Sequence, residues 1–126
     1  MRAADERGSA VAEFAMVAGL LVALALSVIQ LSLGLHVRAT LADAAAEGAR
    51  HASLVGADAA AGMARTRELI TASIGPAYAQ GVSATTATVA GLETIEIRVA
   101  APLPLLGLLG PVALEVTGHA PLESLG

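Results

Sequence analysis

Polar and apolar residues divide this chain into three stretches. The first eight residues, MRAADERG, are short and charged, with Arg2, Asp5, Glu6 and Arg7. From Phe14 to Leu35 no side chain is charged, a run of 22 residues. At about 1.5 Å per residue that run makes a helix of roughly 33 Å, close to the ~30 Å hydrocarbon core of a bilayer. The third stretch, HVRATLADAAAEGARHASLV, restores charge without proline and in strong helix formers. In it Val37, Leu41, Ala45, Gly48, Ala52 and Val55 recur at three- and four-residue steps. His36, Thr40, Asp43, Glu47 and Arg50 occupy another face. The spacing therefore predicts one helix that continues from Ser9 to about Val55, with Gly56 as its stop. Glu47 is placed to pair with Arg50 or His51.

Beyond Gly56 the periods are shorter. Residues 58–74 read as a second helix, capped by Asp58, with Met63, Leu69, Ile70 and Ile74 apolar and Arg65, Arg67 and Glu68 outward. Gly75-Pro76 ends it. Then the period falls to two. Residues 82–90 are rich in Val and Thr. In residues 93–100, Ile95, Ile97 and Val99 alternate with Thr94, Glu96 and Arg98. These two runs read as a hairpin about Ala90-Gly91. Val112, Leu114 and Val116 mark a third strand over 112–118, followed by a short tail. Between strands lies APLPLLGLLGP, whose prolines and glycines exclude a regular membrane helix. It reads as an apolar loop that covers the core, lies on the membrane or contacts a partner. The fold class is α+β: a long N-terminal helix, a short second helix and a small antiparallel sheet of about three strands. The domain reading is a leader over 1–8, a membrane helix over 9–35 and a second region over 36–126.

Composition narrows the function. The chain of 126 residues is 56% hydrophobic, and its mean hydropathy is +0.72, which suits a membrane-anchored protein better than a freely soluble one. It has no cysteine, so disulfides and thiolate chemistry are excluded. Net charge is −4, with no lysine and with Phe14 and Tyr78 as the sole aromatics. A nucleic-acid groove lined by basic and stacking side chains is not written here. His36, His51 and His119 are scattered, no pair has metal-ligand spacing, and no nucleophile elbow or phosphate-cradling glycine loop occurs. The chain reads as a non-enzyme with no cofactor and no metal.

Two features of the apolar helix carry chemistry. Glu13 stands at the mouth of the uncharged run, where a carboxylate becomes costly with depth. Either it is an interfacial residue at a helix start, favoured by the helix dipole, or it meets a cation on a partner. Ala15, Gly19, Ala23 and Ser27 recur every four residues, a stripe that lets another helix approach closely, or else a product of alanine-rich composition. Ser27, Gln30 and Ser32 add hydrogen-bonding groups. Arginines in the leader favour retention in the cytoplasm, so the C-terminal region is expected outside.

Gly8 followed by Ser9, then Glu13, Phe14 and a long apolar helix, resembles the type IV prepilin signature. More narrowly, RGSAVAEFAMV with ADAAAEGARHAS downstream resembles the TadE-like family, the minor pilins or pseudopilins of tight-adherence pilus systems. The resemblance covers about residues 7–54. It implies a pilin-like fold and cleavage between Gly8 and Ser9 by a membrane-embedded prepilin peptidase, with the helix kept in the mature protein. It also implies that Glu13, beside Phe14, meets the amino terminus of a neighbouring subunit. Implied partners are the major pilin, another minor pilin, the pilus membrane platform and membrane lipid, with no nucleic acid. The expected location is the cytoplasmic membrane, single-pass, with possible incorporation in a pilus. Two other readings stay open. One is a signal-anchored accessory membrane protein unrelated to pili. The other is a secreted binding protein cleaved among the small residues from Ala39 to Ala46, although the apolar run exceeds an ordinary signal sequence.

Overall fold

The computed structural model describes residues 2–56, 58–102 and 113–122. Most of the apolar loop, residues 103–111, lies outside them, as do Val112 and the last four residues. The described elements are helix α1 (Arg2–Leu54), helix α2 (Ala59–Ser73), a short 3-10 turn (Pro76–Ala79) and strands β1 (Gly81–Val89), β2 (Leu92–Pro102) and β3 (Ala113–Pro121). The architecture is α+β. The chain divides into two compact units, Met1–Leu33 and Gly34–Gly126.

The first unit is helix alone. Alanine and leucine dominate it and proline is absent, so helix propensity is favourable along most of it, Gly8 and Gly19 excepted. Its large apolar side chains, from Val11 to Leu33, are exposed on every face. An isolated helix that is apolar all round belongs in an apolar surrounding, where its internal hydrogen bonds leave no backbone group unpaired.

The second unit has its own core. Its sheet has the order β1-β2-β3, antiparallel throughout. The hairpin between β1 and β2 turns on two residues, Ala90 at φ 52° and Gly91 at φ 81°. Positive φ at both central positions matches the right-handed twist of the flanking strands. One face of the sheet is buried. Leu41 from α1, Ile70 from α2 and Ile95, Ile97 and Val99 from β2 are its largest fully buried apolar side chains. The rest of the core is mainly small: Ala44, Ala45, Ala49 and Ala52 of α1, with Val116 and Ala120 of β3. Asp58 caps α2, its carboxylate accepting from the amide of Ala61 at 3.2 Å.

Small residues set the spacing of these layers. A Cβ on Gly118 would strike the backbone of Ala45 and Ala46, so β3 lies directly on the α1 backbone there. A Cβ on Gly62 would come within 2.7 Å of the Ala52 methyl and 2.9 Å of the Gly48 carbonyl. A Cβ on Gly48 would strike the Thr66 hydroxyl. Thr66 is fully buried and donates to the Gly62 carbonyl at 2.8 Å. The helices cross at these positions because nothing larger stands between them.

Strand β3 runs further than the sequence pattern indicates. Its pairing continues through Glu96↔His119, Ile95↔Ala120 and Thr94↔Pro121. Ala120 is buried on the core face, and His119 Nε2 lies 3.1 Å from Glu96 on the other face. Glu96 also accepts from Arg98, which reaches across to Glu115 at 3.1 Å.

Candidate functional site: the N-terminal helix

Gly8 and Ser9 lie inside α1, two turns from its described start, and both are exposed. A Cβ on Gly8 would meet nothing within 4 Å. Glycine in a helix interior costs roughly 0.5–1 kcal/mol relative to alanine. Among the described residues, no packing contact requires Gly8 to be glycine.

Glu13 and Phe14 follow one turn later, Phe14 with 75% of its surface open. Among the described residues, no hydrogen bond or ion pair reaches the Glu13 carboxylate. A group at the edge of the uncharged run is therefore left without a counter-charge among the described residues.

Ala15, Gly19, Ala23 and Ser27 are all exposed. Steps of four advance 400° around a 3.6-residue helix, so the four side chains drift slowly along one face. A Cβ on Gly19 would also meet nothing within 4 Å. Gly8 and Gly19 thus differ from Gly48, Gly62 and Gly118, each of which is held by a close neighbour. The Ser27 hydroxyl donates to the Ala23 carbonyl at 2.8 Å, so its proton is used within the helix rather than offered to a partner.

In the second unit, Glu47, His51, Arg65 and Glu68 line an open cleft of about 500 Å³ between α1 and α2. Its charges are already matched. Glu47 takes Arg50 at 3.2 Å rather than His51, and Glu68 takes Arg65 at 3.2 Å. Among the described residues, no group of three or more His, Asp or Glu side chains is placed to hold a metal ion. The packing roles of Gly62, Thr66 and Gly118 were not visible in the period of the sequence. Their signal is small size at positions that face another element, which appears only once the elements are paired.

Among the described residues, one helix is long and apolar enough to cross a membrane, and none of its apolar window is buried. No curated protein and no solved structure matches the chain. A family model described as TadE-like protein matches residues 8–50. That interval opens on Gly8, contains Glu13 and the small-residue stripe, and closes on Gly48-Ala49-Arg50, one turn before the end of α1. Over that interval, about a third of its length, the chain is similar to the TadE-like family.

Proposed function

We propose that the protein is a non-catalytic minor pilin or pseudopilin of a tight-adherence pilus system. It inserts in the cytoplasmic membrane through the apolar part of α1, with residues 36–126 outside. A prepilin peptidase cuts it between Gly8 and Ser9, and the mature chain takes part in pilus assembly. Glu13 docks against a cationic partner, and Ala15, Gly19, Ala23 and Ser27 form the face on which another helix packs. The major pilin, a second minor pilin and the membrane platform are the partners of this reading.

The observation that carries it is the family match beginning at Gly8, a helical glycine for which the fold supplies no reason. A residue that costs helix stability and fills no tight space is explained by something that reads it from outside. Gly19 has the same character within the apolar run.

A different observation weighs against a secreted protein cut between Ala39 and Ala46. Val37 and Leu41 are buried in the core of the second unit, as are Ala44 and Ala45. Cleavage in that interval would strip out side chains on which the sheet rests.

The test is the mass of the mature chain after co-expression with a cognate prepilin peptidase. The expected product begins at Ser9. A product that keeps MRAADERG overturns the reading.

A further inference from the structure

We propose that the peptidase cannot cut this chain in its folded form, and that unwinding of α1 around Gly8 is an obligatory step before cleavage. The inference rests on the processing reading above.

The geometry is direct. Helix α1 runs without interruption from Arg2 to Leu54, and the Gly8–Ser9 bond lies within it. In a helix the Gly8 carbonyl accepts from the amide four residues on, and the Ser9 amide donates to the carbonyl of Asp5. Peptide recognition of the kind that precedes hydrolysis lays the substrate out as an extended strand, with backbone groups paired to the enzyme. A helical bond offers neither the extended shape nor free backbone partners. About one turn on each side of Gly8, from Ala4 to Ala12, must open.

The sequence around the cut is suited to opening and to closing again. Gly8 is a weak helix position with open space about it, so unwinding there breaks no side-chain packing. Every side chain from Ala3 to Val17 is exposed, so no core holds this part of α1 shut. Ser9 is a preferred helix-capping residue, and Glu13 falls in the turn that follows it, where the helix dipole favours an anion. These are the marks of a helix start, yet α1 runs straight through them. They become a start when the leader is gone. Water adds across the Gly8–Ser9 amide. The leader leaves with the Gly8 carboxylate, the mature chain keeps the Ser9 amine, and the helix can close from Ser9 onward.

The experiment measures cleavage of the full chain in bilayer discs by the cognate peptidase, for wild type, Ala4→Gly and Ala12→Gly. The two positions lie on opposite sides of the cut. Amide exchange at Gly8 and Ser9 is followed in the same samples without peptidase. Each glycine weakens the local helix, and both exchange and kcat/KM are expected to rise about four- to five-fold together. Faster exchange with unchanged or slower cleavage in both variants overturns the unwinding step and leaves the processing reading standing. Wild-type chain left uncut after Gly8 overturns both.

Discussion

Gly118 faces the α1 backbone at Ala45 and Ala46, so a hydrogen is the largest side chain that fits. The neighbour is main chain rather than a flexible side chain, and it cannot swing aside. Gly118→Ala is expected to destabilise the second unit by about 1–3 kcal/mol. Faster amide exchange at Ile95, Ile97 and Val99, compared with wild type in the same detergent, checks this. Glu13 poses the opposite case, a residue with no partner among the described residues. Glu13→Leu removes the cost of placing a carboxylate beside lipid and disturbs no contact in the fold. The variant should insert and be processed normally but yield few pili, counted by electron microscopy in a strain lacking the wild-type gene. Normal pilus numbers would remove the docking role.

At the scale of elements, α2 shows how a short helix is held. Asp58 satisfies one of its first amides, and Ile70 anchors its middle in the core. Loss of the cap in Asp58→Ala should cost about 1 kcal/mol, read as a lower midpoint when the second unit is unfolded by urea. The periods of the sequence disclosed most elements for physical reasons. Ile95, Ile97 and Val99 alternate because one sheet face is buried and the other carries Glu96 and Arg98. Val37, Leu41, Ala45, Gly48 and Ala52 recur because one stripe of α1 faces the core, whereas Val55, read on the same stripe, lies past the helix end and is exposed. The extension of β3 to Pro121 was hidden. Gly118 and Ala120 are too small to register as apolar alternation, and only pairing with β2 shows that they face inward. The choice of Arg50 over His51 by Glu47 was hidden as well, since both lie at helical spacing from it. The stretch matched by the family model was also visible in the sequence. Gly8, Glu13 and the uncharged run form a local pattern that needs no partner element to be recognised. What sequence could not supply was the distinction between glycines that packing demands and glycines that it leaves free.

At the scale of the whole molecule, the two units draw on different sources of stability. Residues of the first expose apolar surface throughout and depend on an apolar surrounding. The second buries a core of its own, to which α1 contributes Val37, Leu41, Ala44, Ala45, Ala49 and Ala52. A fragment beginning at Gly34 keeps all of these residues, whereas one beginning at Glu47 lacks the first four. The longer fragment should fold alone and resist limited proteolysis, and the shorter one should be digested at once. Equal resistance would mean that the sheet and α2 suffice without the helix. The glycine contacts in this unit also bear on how the sequence can drift over generations. Any exchange at Gly48, Gly62 or Gly118 adds atoms, because no smaller residue exists. These positions have no mild intermediates, so descendants that abandon one of them must shift a backbone at the same moment. The spacing of α1 against α2 and against β3 is thereby fixed as an all-or-none inherited character, while the solvent face of the sheet is free to vary residue by residue.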